Sequence, residues 1–146
     1  MRTLILGNGL IGKAIARKLI AEKHVVTIAS RTAAEKIDGV NYVENSFEEI
    51  VNNKELFINA DNVIQTICTS SPASSMQDIY KDAYENVLLN VKLMEMLRQY
   101  PVQKFIFLSS GGSVYGNEAV NDVDETHPTH PISAYGVAKI NVEKYL

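Results

Sequence analysis

The chain has 146 residues, of which 46% are apolar and 21% charged, and these proportions exclude a disordered tail. Its 14 basic and 17 acidic side chains give a formal net charge of −3, without the basic surplus that nucleic-acid binding requires. A single cysteine, Cys68, excludes an internal disulfide, and no apolar run reaches the roughly 20 residues of a membrane helix. We therefore expect one soluble, cytoplasmic domain with no nucleic-acid partner and no membrane partner.

Short β-rich runs alternate with segments of helical period along the whole chain. Strands are predicted at residues 3–6, 25–29, 41–43, 63–68 and 104–108. Helices are predicted at residues 10–21, 47–51, 78–100 and 135–146, the second of them with a capping box formed by Ser46 and Glu49. Strands that alternate with helices pair in parallel through right-handed crossovers. The sequence therefore predicts an α/β fold with a Rossmann-type doubly wound parallel sheet.

A glycine loop directly follows the first predicted strand. Its six residues match the pattern G-x-G-x-x-G: Gly7, Asn8, Gly9, Leu10, Ile11 and Gly12. The first glycine permits a tight turn, the second lets the backbone approach a pyrophosphate, and the third lets helix and strand pack closely. Because free N–H groups at a helix start attract negative charge, the loop predicts a dinucleotide site. The alternative is a plain turn between strand and helix.

The residues after the second predicted strand bear on the choice of cofactor. A carboxylate at this point accepts from the 2′-hydroxyl of NAD, but this chain has Ser30, Arg31 and Thr32, and no carboxylate before Glu35. The Arg31 guanidinium is a natural partner for the 2′-phosphate of NADP, and the two neighbouring hydroxyls can donate to it. The sequence therefore favours NADP over NAD. The alternative is an Arg31 that lies over the adenine or faces solvent.

The strand ends predict further ligand contacts. Ligands of an open parallel sheet bind at the carboxyl ends of its strands. Thr69 follows the fourth predicted strand, and a serine-rich run follows the fifth. Thr69 is therefore a candidate contact to the cofactor, and a serine hydroxyl of that run is a candidate to hold a substrate oxygen.

Tyr135 and Lys139 form a Y-x-x-x-K pair in the last predicted helix. Four residues along a helix bring both side chains to one face, one turn apart. A phenol has a pKa of about 10 and is a poor base at neutral pH, but a neighbouring ammonium favours the phenolate. The pair therefore predicts a base that removes a proton from a substrate hydroxyl, and Lys139 can also donate to the nicotinamide ribose. By itself the spacing also fits a surface Tyr and Lys with no chemical role.

Together these motifs resemble the N-terminal half of an extended short-chain dehydrogenase/reductase of the epimerase/dehydratase family, whose members act on nucleotide sugars. The resemblance spans the whole chain, with its elements in family order. They are the glycine loop, S-S-G-G-S-V-Y-G at residues 109–116, E-T-H-P-T-H-P at 125–131, and the pair Tyr135 and Lys139. The Asn-Val element in the long predicted helix also resembles the family. It implies that Asn86 lies near the active site and the cofactor.

Three features depart from the family pattern. Leu6 replaces the first glycine of the usual G-x-x-G-x-x-G loop. The family's active-site hydroxyl residue aligns with Gly111, so the hydroxyl is expected from Ser110 or Ser113, and both remain candidates. The chain is also about half as long as family members. We therefore expect an NAD(P)-binding Rossmann domain over residues 1–146, truncated before the later strands and the C-terminal substrate domain.

The resemblance implies a nucleotide-sugar epimerase, similar to UDP-glucose 4-epimerase, that transiently oxidises a sugar hydroxyl with NAD or NADP. The chain as it stands is expected to be inactive because the sugar-binding half is absent. The alternatives are an NADP-dependent keto-sugar or carbonyl reductase and a non-catalytic dinucleotide-binding module. The family also implies a homodimer through the helices at 78–100 and 135–146. No metal site is expected, because His127 and His130 have no third ligand nearby.

Overall fold

The computed structural model describes residues 1–116 and 122–146, and it divides the chain into two compact units. The first unit comprises residues 1–67 and 92–108, and the second comprises residues 68–91 and 109–146. No helix within the described ranges combines the length and the apolar character that a membrane crossing requires. The glycine loop belongs to the first unit, and the Tyr135–Lys139 pair belongs to the second.

A five-stranded parallel sheet forms the centre of the first unit. Its strands are β1 (Arg2–Leu6), β2 (Val25–Ser30), β3 (Val40–Glu44), β4 (Asn62–Gln65) and β5 (Lys104–Phe107). They lie in the order β3-β2-β1-β4-β5, and every neighbouring pair is parallel. The order reverses between β1 and β4, and ligands of such sheets bind at the reversal. The predicted Rossmann-type α/β fold is confirmed.

The unbroken apolar run of β1 reflects burial on both faces of the sheet. Leu4, Ile5 and Leu6 are each almost completely buried, as in a strand covered from both sides. The first helix packs on β1 and β2 and contributes Ala16 to the core. The helices of this part of the chain are α1 (Leu10–Ala21), α2 (Phe47–Ile50) and α3 (Glu55–Ile58).

Helices build the second unit. They are α4 (Pro72–Ser75), α5 (Ile79–Ala83), a π-helical segment (Tyr84–Leu88), the start of α6 (Leu89–Leu97), α7 (Gly111–Val114) and α8 (Ala134–Tyr145). The side-chain oxygens of the N-cap residues Ser71, Asp78 and Ser133 accept hydrogen bonds from backbone N–H groups in the first turns of α4, α5 and α8, respectively. Helix α8 contacts α4, α5, α7 and the π-helical segment, so it is the central element of this unit.

The prediction of one continuous α-helix over residues 78–100 is wrong in the middle of that range and at its end. The structure has α5, the π-helical segment and α6 in succession, and α6 ends at Leu97. A π turn holds one more residue than an α turn, and such insertions are frequent at functional sites. Residue spacing alone does not reveal the insertion, because the apolar positions before and after it each fit an α-helix.

The predicted fourth strand, 63–68, also extends too far. Strand β4 ends at Gln65, whose side-chain Oε1 accepts the N–H of Ile67 at 2.7 Å. The N–H of Ile67 therefore binds the Gln65 side chain instead of a neighbouring strand. Helices α3, α4 and α7 were not predicted, because four residues carry too little periodicity to identify a helix. The capping box between Ser46 and Glu49 is confirmed at the start of α2.

Two glycines let α1 begin against the end of the sheet. Gly7 has φ +112°, a left-handed conformation that favours glycine, and a Cβ there would lie 2.5 Å from Thr66 Oγ1. A Cβ on Gly12 would lie 2.2 Å from the carbonyl oxygen of Gly7. Gly9 differs from both, because a Cβ on it would meet no atom within 4 Å. The first and last glycines are therefore required by packing, and the middle one is not.

We predict that Gly12→Ala lowers the free energy of unfolding by about 1–3 kcal/mol, because its methyl group must displace the Gly7 backbone. Gly9→Ser is the control, since its side chain enters open space and serine is a favourable helix N-cap. Urea denaturation followed by circular dichroism measures both. Equal stability of the two variants would contradict the packing account.

Candidate functional site

The start of α1 presents backbone donors without a side-chain cap. Gly9 is the N-cap residue, no side chain accepts the first N–H groups, and the first turn contains no acidic residue. Among the other described α-helices, α2, α4, α5 and α8 have a side-chain cap, whereas the four-residue helices α3 and α7 do not. Uncapped N–H groups at a helix start carry partial positive charge and bind anions. The α1 start and the open space at Gly9 therefore suit a phosphate group.

The remaining residues of the predicted glycine loop lie around these donors. Gly7 donates its N–H to the carbonyl oxygen of Ala29 at 2.9 Å, which ties the loop to β2. Leu10 and Ile11 are 85% and 54% exposed at the start of α1. The loop therefore presents apolar side chains next to its N–H donors.

Asn8 attaches the segment 31–36, which follows β2, to the glycine loop. Its Nδ2 donates to the carbonyl oxygens of Ala34 at 2.9 Å and Thr32 at 3.4 Å. The hydroxyl of the buried Ser30 donates to the Thr32 carbonyl at 2.7 Å, so that proton is engaged within the loop. Arg31 and Thr32 are exposed, and the Arg31 guanidinium has no hydrogen bond or ion pair within the described residues. Of the predicted phosphate contacts, the Ser30 hydroxyl is thus engaged, whereas the Arg31 guanidinium and the Thr32 hydroxyl remain available.

In the second unit, buried contacts fix the start of α8. Tyr135 donates its N–H to the Oγ of Ser75, which is 1% exposed, at 3.0 Å. Ser133 Oγ accepts the N–H of Gly136 at 3.2 Å. A Cβ on Gly136 would lie 2.5 Å from the carbonyl oxygen of Ser113, so α7 packs directly on this turn. These contacts place Ser113 beside the turn that carries Tyr135.

Tyr135 and Lys139 lie together, one turn apart on α8, as their spacing predicts. The Nζ of Lys139 is 5.6 Å from the centroid of the Tyr135 ring. Lys139 is only 6% exposed, and this burial holds the pKa of its ammonium below the ordinary value. The negative charges that Cys68, Asp82 and Glu143 carry when ionised act in the opposite direction. A partly exposed phenol therefore lies beside a buried cation.

Asn86 lies in the π-helical segment and binds Thr69, in the loop that follows β4. Its Oδ1 accepts the N–H of Thr69 at 3.2 Å, and its Nδ2 is 3.0 Å from Thr69 Oγ1. The same Nδ2 donates to Asp82 Oδ1 at 3.0 Å, and the hydroxyl of Ser70 donates to that oxygen as well. Thr69 and Asn86, both predicted site residues, are therefore brought together in one hydrogen-bond network.

Ser110 and Ser113 both remain candidates for the substrate hydroxyl. Ser110 is the N-cap of α7, and its carbonyl oxygen accepts the N–H groups of Ser113 at 3.0 Å and Val114 at 3.1 Å. Both serines are half-buried, and neither hydroxyl has a hydrogen bond within the described residues. The neighbouring Ser109 instead donates its hydroxyl to Glu143 on α8. Two unengaged hydroxyls thus lie in the unit that holds Tyr135.

Sequence reasoning missed Asp82 and Ser75, which support these groups. Asp82 is 4% exposed and lies four residues before Asn86, a spacing that places both on one helix face. The sequence signal that could have identified Asp82 was its position four residues before Asn86, on the same helix face. No sequence signal identifies Ser75, because its contact with Tyr135 joins residues 60 positions apart.

Each unit thus carries one chemical capability. The first offers uncapped N–H donors and the free Arg31 guanidinium, which suit an anionic ligand. The second offers a phenol, a buried ammonium and two serine hydroxyls, which suit proton removal from an alcohol.

Comparison with known proteins identifies a matching family and several solved structures with a similar fold. The model of the NAD dependent epimerase/dehydratase family matches residues 3–146. A UDP-glucose 4-epimerase of Mycolicibacterium smegmatis is 31% identical over 160 residues, which cover 100% of this chain and 50% of that protein. A dTDP-4-dehydro-6-deoxyglucose reductase of Escherichia coli is 31% identical over 157 residues, covering 96% of this chain and 48% of that protein.

A solved structure agrees with these relatives. The UDP-glucose 4-epimerase of Thermus thermophilus in complex with NAD superimposes with a TM-score of 0.85 and 30% identity, covering 99% of this chain and 49% of that one. The chain therefore spans about half the length of the relatives it matches.

We predict that Asp82→Asn lowers the pKa of Lys139 further, because it removes a negative charge that stabilises the buried ammonium. The measurement is an NMR titration of the Lys139 side chain. Glu143→Gln, at an exposed position on the same helix as Lys139, is the control and should have a smaller effect. An unchanged or higher Lys139 pKa in Asp82→Asn would show that this carboxylate does not act on the lysine.

Proposed function

The chain belongs to the NAD dependent epimerase/dehydratase family, and on this basis we propose that it forms the dinucleotide-binding part of a nucleotide-sugar epimerase similar to UDP-glucose 4-epimerase. The observation that carries the proposal is the Tyr135–Lys139 pair, a phenol one helical turn from a buried ammonium. The substrate class follows the names of the M. smegmatis and T. thermophilus relatives. The geometry of the glycine loop supports the cofactor class.

The residues of the first unit fit the pyrophosphate of a dinucleotide. The uncapped donors of α1 match its negative charge, and the open space at Gly9 admits it. In the second unit, Lys139 is the proposed donor to the nicotinamide ribose, and Thr69 and Asn86 are proposed to shape the cofactor site through their hydrogen bonds. When bound, NAD or NADP supplies the hydride acceptor for the oxidation of an alcohol.

Tyr135 is the proposed base. Its phenolate takes the proton of a sugar hydroxyl while hydride leaves the same carbon, so the alcohol becomes a ketone. The Lys139 ammonium favours the phenolate by its positive charge. Ser110 or Ser113 donates a hydrogen bond to the reacting sugar oxygen. In the return step that completes an epimerisation, the Tyr135 phenol would give the proton back to the same sugar oxygen.

A second candidate function is an NADP-dependent reductase of a keto-sugar or another carbonyl. It is favoured by the exposed, unpaired Arg31 at the end of β2, which suits a 2′-phosphate. One of the relatives is named as a reductase. The same Tyr135 and Lys139 would then deliver a proton to the carbonyl oxygen. A non-catalytic dinucleotide-binding module is the third candidate, and the presence of Tyr135 with Lys139 weighs against it.

We further propose that these 146 residues alone do not sustain epimerisation. The relatives are about twice as long, so about half of their length has no counterpart in these residues. Binding of the cofactor and turnover of the sugar are therefore separable in this chain.

We predict that the purified chain binds NAD or NADP in calorimetric titration and that Gly9→Ser weakens this binding by roughly tenfold or more, because the pyrophosphate needs close backbone approach there. The serine hydroxyl caps the α1 donors and its Cβ fills the space proposed for the pyrophosphate. Because the fold tolerates this change, lost affinity reports on the site itself. Equal affinity of both proteins would contradict the assignment, and steady conversion of UDP-glucose by the chain would contradict its proposed inactivity.

An apolar groove in the second unit is the proposed contact with a second copy of the chain. The groove has a volume of about 610 Å³ and is lined mainly by residues of α5, the π-helical segment and α8. Ile79, Leu88 and Val137 on this surface are 56%, 57% and 45% exposed. Contiguous exposed aliphatic side chains favour association, because a partner removes them from water. These helices are the ones expected to form a homodimer.

We predict that Leu88→Glu and Val137→Glu each convert a dimer to a monomer in sedimentation analysis, because a charge in a buried apolar contact is strongly unfavourable. Ile58→Glu, on α3 and 51% exposed, is the matched control and should leave the assembly unchanged. A native chain that sediments as a monomer would refute the dimer.

A further inference from the structure

The segment 31–36 is held in a defined conformation beside the glycine loop. Asn8 donates to the carbonyl oxygens of Thr32 and Ala34, and Ser30 donates to the Thr32 carbonyl. Glu35 has φ +53°, a left-handed conformation that residues with side chains adopt rarely. Such a conformation persists when surrounding contacts fix it. The backbone of Glu35 is therefore set by the fold of this loop, and its side chain starts from a fixed point.

Glu35 directs its carboxylate at the cationic side chains of α1. It forms an ion pair and hydrogen bond with Lys13, whose side chain is 16% exposed, whereas the Glu35 side chain is 80% exposed. Lys13 holds the pKa of the Glu35 carboxyl below its ordinary value, and Arg17, one turn further along α1, contributes in the same direction. The carboxylate thus neutralises a lysine that lies directly after the glycine loop.

The basic side chains around Glu35 differ in their availability to a ligand. Arg31 is exposed and has no hydrogen bond or ion pair within the described residues, whereas Lys13 is paired with Glu35. Glu35 is also the sole carboxylate in the sequence of segment 31–36. A phosphate that arrives here finds the Arg31 guanidinium unpaired, whereas Lys13 must first leave its carboxylate.

The two nicotinamide dinucleotides would interact differently with this pair of charges. They differ at the adenosine ribose, where NAD has a neutral 2′-hydroxyl and NADP has a 2′-phosphate with about two negative charges at neutral pH. The end of β2 and the residues after it are where a sheet of this type reads that ribose. A phosphate that reached this position would be repelled by Glu35 and would compete with it for Lys13, whereas a neutral hydroxyl would not be repelled.

We propose that Glu35 is a specificity-determining residue that lowers the affinity for NADP, relative to NAD, by occupying Lys13 as an internal counter-anion. The inference rests on the proposed function, because it assumes that the glycine loop binds a dinucleotide. It adds a residue that opposes Arg31, so the preference of the site is set by the balance between an exposed guanidinium and a carboxylate-bound ammonium.

The experiment is calorimetric titration of the native chain, Glu35→Gln and a matched control with NAD and with NADP. The control is Glu22→Gln, which removes a carboxylate from the ion pair with Lys18 just after α1. Glu35→Gln should raise the affinity for NADP about fivefold, in line with an exposed charge pair, and change that for NAD by less than about twofold. Glu22→Gln should leave both affinities unchanged, and the gain from Glu35→Gln should diminish at high salt.

A Lys13→Met background identifies the route of the effect. In that background the Glu35→Gln change should alter the NADP-to-NAD ratio much less than it does in the native chain, because the cation released by the substitution is absent. A full effect without Lys13 would overturn the counter-anion assignment.

The remaining outcomes also decide the matter. Equal gains for NAD and NADP in Glu35→Gln would overturn the inference and indicate that Lys13 contacts the shared pyrophosphate, while the proposed function would stand. No change for either dinucleotide would likewise overturn the inference alone. Absence of dinucleotide binding by the native chain and by every variant would overturn the proposed function and this inference with it.

Discussion

The uncapped start of α1 is the constraint on which the cofactor-binding part of the molecule depends. A helix that begins at the carboxyl end of β1 directs its first N–H groups at the reversal in strand order, provided that nothing closer accepts them. The chain meets this condition with Gly9 at the N-cap and with no acidic residue in the first turn. The close approach of Gly12 to the Gly7 backbone then fixes where the helix starts.

The second unit stabilises buried polar and charged groups around α8. Lys139 and Asp82 are both almost fully buried, and one carboxylate oxygen of Asp82 has no hydrogen-bond partner within the described residues. A buried acceptor without a partner costs about 1–3 kcal/mol, and burial of an ammonium is unfavourable as well. A fold selected for stability alone would use apolar side chains at these positions. The proposed chemical role of Lys139 beside Tyr135 accounts for this cost.

The sequence predicts those structural features that depend on neighbouring residues. It does not predict those that depend on contacts between residues far apart in the chain. The strand-loop-helix pattern around Gly9 and the Tyr135–Lys139 spacing each depend on a few neighbouring residues, and the sheet and the paired side chains are confirmed. The π-helical segment was missed because one extra residue in a turn leaves the apolar pattern on either side intact. The Lys13–Glu35 pair was missed because it joins residues 22 positions apart through a left-handed turn. The choice between Ser110 and Ser113 depends on the position of a substrate, which neither residue spacing nor a serine side chain specifies.

The most direct test of the account is a backbone amide NMR titration of the chain with NAD. It reports on the residues of the first unit that the proposal assigns to the dinucleotide. We predict chemical-shift changes at Gly9, Leu10 and the segment 31–36. Changes confined to other residues, or none at saturating NAD, would contradict the claim that this chain carries a dinucleotide site.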